Sequence, residues 1–381
     1  MISKWYGKDL RLGVLGGGQL GRMLIQAAND LNIHIHCLDP DPNAPCSEIA
    51  HSFSCGSLTD FNTVLNFGSD KHLITVEIEN INVEALIELE KKGVKVFPQP
   101  NVLKLIQDKG LQKEFYLKNN IPTAAFELIS SKAELLLKTD FPFVHKLRTG
   151  GYDGKGVKII SNLSEAEQSF DSPSVIEEKI NFQKELSVLV ARNEKGEIKT
   201  FPLVECEFNP EANLVEFLFS PAEVSPEIEL KAKEIASQLI EKLNMVGLLA
   251  VELFQTKSNE LLVNEIAPRP HNSGHHTIEC CTTSQFSQHL RAILNLPLGD
   301  TSLIQAGAMI NLVGEKEFNG PVFYAGLEDL LAIPGVFPHL YGKETTKPFR
   351  KMGHITITGK NIDELKAKSD KIKGLIRVIS R

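Results

Sequence analysis

The chain has 381 residues, of which 42% are hydrophobic and 23% charged, with a formal net charge of −7 at pH 7. That length accommodates two or three domains, and the composition is ordinary for a globular protein. The acidic balance disfavours a nucleic-acid surface, and no apolar run is long enough for a membrane-spanning helix. Six scattered cysteines (Cys37, Cys46, Cys55, Cys206, Cys280, Cys281) form no CxxC pair and suggest a reduced, cytoplasmic protein without disulfides. The N-terminus lacks the apolar core and cleavage site of a signal peptide.

The first hundred residues alternate strand and helix. Residues 10–16 (LRLGVLG) predict a strand, and the glycine turn after it opens a helix with Leu20, Met23, Leu24, Ala27, Ala28 and Leu31 on one face. Strands at 33–39 and 72–79 and a helix at 82–92 continue a βαβ rhythm, which implies a parallel sheet. One helix is expected over 101–119, ended by Ile121–Pro122. Strands at 141–147, 158–162 and 174–180 form a small sheet, and 185–192 and 201–208 read as antiparallel strands of a larger one. Ser225–Pro226 starts a helix reaching about Asn244, with Ile228, Ala232, Ile235, Ala236, Leu239, Ile240 and Leu243 facing inward. Apolar runs at 246–254 and 260–266 flank the polar turn Gln255–Asn259. Beyond about residue 300 the chain reads as short strands and turns, with a last helix at 361–370.

The densest chemistry lies at Asn264–His276, NEIAPRPHNSGHH. A carboxylate, a guanidinium, three imidazoles and two amides share thirteen residues, and Pro268 and Pro270 deny them a continuous helix. So polar a segment is poor core material and reads as the floor of an active site. If the preceding hairpin is centred on Ser258–Asn259, Glu252 faces Glu265 directly. Like charges facing each other across strands are destabilising. A shared cation would explain the pair, since Mg²⁺ is usually held by one or two carboxylates together with nucleotide phosphates. A surface hairpin with two solvated glutamates is the plainer alternative. Zinc at His271, His275 and His276 is disfavoured, because i, i+4 spacing serves a metal only on a helix.

Other motifs point to phosphate. Gly16-Gly17-Gly18-Gln19-Leu20-Gly21 follows a strand and opens a helix, and Asp39 ends the next strand. That pattern fits a dinucleotide fingerprint. It equally fits a helix N-terminus that holds any phosphate, or a tight turn that only lets helix and strand pack. Arg148-Thr149-Gly150-Gly151-Tyr152-Asp153-Gly154-Lys155-Gly156 is not a Walker loop. Its four glycines suit a flap whose amides close over phosphates, although a plain hairpin turn is also compatible. Lys146 ends the preceding strand within reach of a phosphate. Glu177-Glu178-Lys179-Ile180, with Glu185 beyond, offers backbone groups for an adenine edge and a carboxylate for ribose hydroxyls, or else is a solvated charged loop. Glu77 and Glu79 lie at the carboxyl end of a parallel strand, where open α/β sheets bind ligands.

In order, a βαβ domain, a lysine leading to a glycine flap, an EExI segment and paired late glutamates resemble the ATP-grasp superfamily. GGGQLGRML, RTGGYDGKG, INFQKELS and NEIAPRPHNSGH are similar to the phosphoribosylaminoimidazole carboxylase ATPase-subunit family. The resemblance runs from about Leu12 to the RKMGH segment at 350–354. It implies an N-terminal Rossmann-like parallel-sheet domain (1–105), an ATP-grasp fold split into a small subdomain with the flap (106–180) and a large one with the metal site (181–300), and a small C-terminal β-rich domain (301–381). It further implies an ATP-dependent ligase of purine biosynthesis that carboxylates 5-aminoimidazole ribonucleotide with bicarbonate, working with ATP and Mg²⁺ as a homodimer.

By position, the resemblance assigns Lys109, Lys146 and Gly151–Gly156 to the ATP phosphates, Glu177–Ile180 to adenine and Glu185 to its ribose. Glu252 and Glu265 would hold Mg²⁺ with Asn264 beside them. Arg269 would grip bicarbonate and carboxyphosphate, and His271, Asn272 and His275 would line the site of the substrate amine. Gly18, Gln19, Leu20, Arg350 and Lys351 would bind the substrate's ribose phosphate, with Tyr152, Asp153, Glu77 and Glu79 completing the pocket. Two positions depart from the pattern. Ala267 stands where many ATP-grasp enzymes carry a metal-binding Asn, leaving that position to Asn264 or water. Glu205 and Cys206 stand where relatives often carry a polar pair near the nucleotide. Alternative readings are a sister ATP-grasp ligase acting on another ribonucleotide amine, a nicotinamide oxidoreductase using Gly16–Gly21 and Asp39, and a regulatory nucleotide-binding module.

Overall fold

Strand Arg11–Leu15 is buried at every position but its first, as expected of a strand covered on both faces. It is the centre of a five-stranded parallel sheet with the order Ser52–Cys55, His34–Asp39, Arg11–Leu15, Leu73–Val76, Lys95–Val96. The computed structural model describes residues 6–151, 156–209 and 214–381. The edge strand Ser52–Cys55 was not anticipated, because its short, mostly exposed SFSC sequence carries no hydrophobic pattern. Helix Gln19–Asn29 buries Leu20, Met23, Leu24, Ile25 and Ala28. Leu31, expected on that face, lies past the helix end and is 37% exposed.

The helix expected over 101–119 is two helices, Pro100–Ile106 and Lys109–Lys118. Asp108 makes the break. Its carboxylate accepts the N–H groups of Gly110 and Leu111 and so caps the second helix. The same carboxylate takes Arg148 in a bidentate pair, Nε to Oδ1 at 2.8 Å and Nη2 to Oδ2 at 2.7 Å. The helix start is thereby tied to the stem of the glycine flap.

The small sheet is antiparallel, in the order Phe126–Ile129, Ser174–Glu178, Phe143–Leu147, Val157–Ile160. The larger sheet runs Leu261–Ala267, Gly247–Thr256, Phe182–Arg192, Val204–Asn209, Leu214–Ser220, Ala306–Val313, Lys351–Gly359, Val336–Leu340. Helix Pro226–Lys242 packs on it, with Ser225 as the N-cap. All seven residues expected to face inward are buried there beside Leu186, Val188, Val190, Leu249 and Val251.

The C-terminal segment holds the expected short strands, among them Gly320–Ala325, Val336–Leu340 and Arg377–Ser380, but also two long ones. Ala306–Val313 and Lys351–Gly359 are long, largely buried and paired with each other, and Ala306–Val313 also pairs with Leu214–Ser220, so the large sheet continues across the boundary expected at residue 300. Buried polar residues in these strands, among them Asn311, His354, Thr356 and Thr358, hide the core pattern from the sequence. Helix Ile362–Lys373 covers them, burying Leu365 and Ile372.

Candidate active site

Strands Gly247–Thr256 and Leu261–Ala267 set Glu252 opposite Glu265, as the hairpin reading predicts. The hairpin is not regular, however. Near the turn, Leu253 pairs with Val263, Phe254 with Leu262 and Gln255 with Leu261, a register centred on Ser258, and it shifts between Glu252 and Leu253. Asn264 is the extra residue of a bulge, a device that re-aims side chains. Its Oδ1 turns to accept from Lys146 Nζ at 3.1 Å, leaving Glu265 to face Glu252.

Cations from two other elements converge on this hairpin. Lys109, the first residue of its helix, pairs with Glu265. Lys146 Nζ lies 3.0 Å from Glu177 Oε2, and Lys113 Nζ lies 3.3 Å from Glu177 Oε1. The Glu177 and Lys113 side chains are 4% and 3% exposed, so this carboxylate is an internal strut between two lysines. Burial pulls Lys113 down to about 8, against the raising effect of Glu177. Lys113 also donates to Thr123 Oγ1 at 2.6 Å, which donates to the Val263 carbonyl at 2.8 Å. Lys113 of the helix and Lys146 of the small sheet are thus both fastened to the carboxylate hairpin. Lys179 and Ile180 follow the end of strand Ser174–Glu178. Gly150 and Gly156 take left-handed φ of 78° and 86° at the flap's two ends. Tyr152, Asp153, Gly154 and Lys155 lie outside the described residues, whereas Gly151 is described and half-buried.

The carboxylates respond differently to this setting. Burial raises Glu185 to about 7 although Lys146 opposes it. Burial, then the charges of Glu265 and Glu185, push Glu252 from an ordinary 4.5 to about 7. Glu265 is held below its ordinary value, because Lys109 outweighs the upward push of burial. Its side chain keeps 49% of its surface, so it is open to a ligand from the cleft. A folded-state value above the unfolded one gives stability that is fully present below about pH 4.5 and lost as pH rises through about 7. Glu252→Gln should therefore gain on wild type between pH 5 and pH 8, by on the order of 1–3 kcal/mol. Urea unfolding in the presence of a chelator measures it, and parallel pH curves would refute the assignment.

The Pro-rich loop leaves the hairpin and reaches the N-terminal domain. Arg269 pairs with Glu79 through Nε at 2.8 Å from Oε1 and Nη2 at 3.0 Å from Oε2. His271 Nε2 stands 3.7 Å from Glu252 Oε1. Asn272 exchanges amide hydrogen bonds of 2.8 and 2.9 Å with Asn311, joining the loop to the C-terminal strands. His275 sits behind the loop. It is 1% exposed and stacks on His354 with 4.5 Å between ring centroids, so it is not open to direct contact with a substrate amine.

The N-terminal glycine loop is already bonded to carboxylates. Gly17 N–H donates to Asp39 Oδ2 at 2.7 Å, and Gly18 N–H donates to Glu77. A Cβ on Gly18 would lie 2.6 Å from Glu77 Oε1, so a side chain there would displace the Glu77 carboxylate. Asp39 as a loop strut has a structural task, which removes its support for a nicotinamide site. Helix Gln19–Asn29 begins at Gly18 with no side-chain cap, leaving the amides of Gln19 and Leu20 as anion donors. Lys343 and Lys351 supply positive charge nearby: Lys343 acts on Glu77, and Lys351 on Glu252 and His275. Arg350 turns to Thr345, donating to its carbonyl at 2.7 Å and its Oγ1 at 3.1 Å.

Sequence reading missed Lys113, Asp108, Asn311, Lys343 and Gln285. Asp108 carried a signal, since Asp-Lys-Gly inside a helical pattern is an N-cap. The other four had none, because only the fold brings them to the site.

Two carboxylates facing across a hairpin, with lysines from helix Lys109–Lys118 and from strand Phe143–Leu147 of the small antiparallel sheet converging on it, define the chain as an ATP-grasp ligase. An ATP-grasp domain family matches residues 114–286, a ribonucleotide synthetase preATP-grasp domain residues 10–107, and a phosphoribosylaminoimidazole carboxylase C-terminal domain residues 307–368. The chain belongs to the N5-carboxyaminoimidazole ribonucleotide synthase family. It is 38% identical to the enzyme of that name from Synechococcus elongatus, covering 91% of this chain and 89% of that one. It is 40% identical to a chloroplastic phosphoribosylaminoimidazole carboxylase from Vigna aconitifolia, over 94% of this chain, and spans 66% of that longer protein. The N5-carboxyaminoimidazole ribonucleotide synthetase structure from Thermotoga maritima superposes with a TM-score of 0.91 at 40% identity, covering 98% of this chain and 100% of that one. An Aspergillus clavatus N5-carboxyaminoimidazole synthase, solved with ADP and 5-aminoimidazole ribonucleotide, gives 0.88 at 32% identity, covering 97% and 99%.

Proposed function

We propose that this chain carboxylates the exocyclic amine of 5-aminoimidazole ribonucleotide, consuming ATP and bicarbonate and releasing ADP and phosphate. The observation that carries the reading is the path of one segment. From Glu265 to His271 it passes from Lys109 at the start of its helix, through Arg269 at Glu79 of the N-terminal domain, and back to Glu252. A nucleotide on the lysine side and a ribonucleotide on the glycine-loop side would meet at Arg269.

In this reading a bicarbonate oxygen attacks the γ-phosphorus and the bond to ADP breaks, giving carboxyphosphate. The substrate nitrogen then takes the carboxyl carbon as phosphate leaves, and a proton departs from nitrogen. Lys109 and Lys146 hold phosphate oxygens, and the guanidinium of Arg269 matches a planar anion with two parallel donors. The amides of Gln19 and Leu20, with Lys351 and Arg350, take the ribose phosphate. Most of the catalysis is positioning and charge stabilisation.

Glu252 and Glu265 fit a divalent cation. They are forced face to face, one is raised to about 7 by burial and its neighbours' charge, and both are oxygen donors. When bound, Mg²⁺ would neutralise phosphate charge. Among the described residues no helix is long and apolar enough to cross a membrane. The six unpaired cysteines support a cytoplasmic setting, and the family resemblance supports a homodimer.

A coupled ADP assay tests the function. ADP release should require bicarbonate and 5-aminoimidazole ribonucleotide together. Release indifferent to bicarbonate would exclude carboxylation.

A further inference from the structure

One buried amide organises the loop without facing its cleft. Gln285, the first residue of helix Gln285–Ile293, is 0% exposed. Its Oε1 accepts the His271 N–H at 2.8 Å. Its Nε2 donates to the His271 carbonyl at 2.8 Å and to His275 Nδ1 at 3.1 Å. The amide orientation is forced, because a backbone N–H can only donate and a carbonyl can only accept. One side chain thus supplies His271 with the pair of backbone bonds that a neighbouring strand would otherwise give. Gly274 lets the loop close over it: a Cβ there would lie 2.4 Å from Gln285 Oε1 and 2.4 Å from Leu189 Cδ1.

The third bond also settles a proton. A ring nitrogen that accepts from an amide carries no hydrogen, so a neutral His275 bears its proton on Nε2. His275 is packed between Phe286 and His354, at 6.1 and 4.5 Å between ring centroids, and both rings lie within about 26° of parallel to it. Its orientation is therefore fixed by Gln285 on one edge and by stacking on its faces.

We propose that Gln285 is a positioning residue of the carboxylating site: it grips both backbone groups of His271 and sets the tautomer of His275, and so holds Arg269 and His271 toward Glu79 and Glu252. The inference rests on the reading of this loop given above. Gln285 acts through the loop and touches no reacting group.

Gln285→Glu is the sharpest test. It keeps the shape and the acceptor for His271 N–H, but places an oxygen against the His271 carbonyl and His275 Nδ1. Nitrogen-15 NMR should show wild-type His275 protonated on Nε2, and the variant's His275 protonated on Nδ1. The kcat for bicarbonate-dependent ADP release should fall at least about 10-fold, while KM for ATP stays within about twofold. Gln285→Ala should lower kcat in the same way. An Nδ1-protonated His275 in wild type overturns the proposal, as do wild-type kcat in both variants or an equal rise in KM for ATP. The wild-type tautomer alone decides if a variant does not fold. It also separates the two ideas: a wild-type protein whose ADP release ignores bicarbonate refutes the functional reading, and the NMR result still judges Gln285.

Discussion

Glu265→Gln should lose ATP turnover by at least about 1000-fold while the protein remains folded. Three consequences of one change add up to this loss. The cleft would lose a full negative charge at the position best placed for a cation, the carboxylate that Lys109 holds ionised. Lys109 would lose its partner and compete for the nucleotide phosphates in a different geometry. Glu252, raised to about 7 partly by the Glu265 charge, would ionise more readily but would remain the only carboxylate across the hairpin. Stability should move little. The Glu265 side chain is about half exposed, and an exposed ion pair is worth roughly 0–1 kcal/mol. Removing a like charge from opposite Glu252 offsets part of even that loss. Coupled ADP release, together with a thermal melt within a few degrees of wild type, checks both halves. Wild-type ADP release would remove Glu265 from the metal assignment.

The contrast between what could be read in the sequence and what could not follows one physical line. Periodicity exposed the elements whose two faces differ most, such as helix Pro226–Lys242, where every expected inward residue is buried. It failed where polar groups are buried in pairs. The strands Ala306–Val313 and Lys351–Gly359 carry the buried Asn311 and His354, whose amide and Nδ1 are bonded to Asn272 and Tyr341 outside their own strands, and so they read as irregular chain. The Glu252–Glu265 pairing was legible because a hairpin is local, yet the bulge at Asn264 was not, since its side chain's partner, Lys146, comes from another sheet. Within the Pro-rich loop, residue types announced polar chemistry without separating its layers. Arg269 and His271 face charged partners, whereas His275 serves from behind. Gln285 was invisible for the same reason, as a buried glutamine has no pattern to betray it.

Arg269→Lys should lower kcat/KM for bicarbonate by about 100-fold, close to 3 kcal/mol of transition-state stabilisation, with KM for ATP within about twofold. The charge is kept, so the prediction isolates geometry. Arg269 meets Glu79 with two nitrogens, which orients its plane and leaves Nη1 directed at the Pro270 carbonyl at 3.1 Å. A lysine could satisfy Glu79 or the incoming anion with one ammonium, but could not hold a planar anion by two parallel donors. Glu79→Gln provides the companion measurement. It keeps an acceptor for Arg269 but removes the ion pair, and should cost about 10-fold, because the guanidinium survives with a looser anchor. If Arg269→Lys retained wild-type bicarbonate dependence while Glu79→Gln and Arg269→Lys destabilised the fold equally, Arg269 would be a strut between loop and N-terminal domain. A selective loss in bicarbonate use places it instead at the point where the nucleotide and acceptor halves of the site meet.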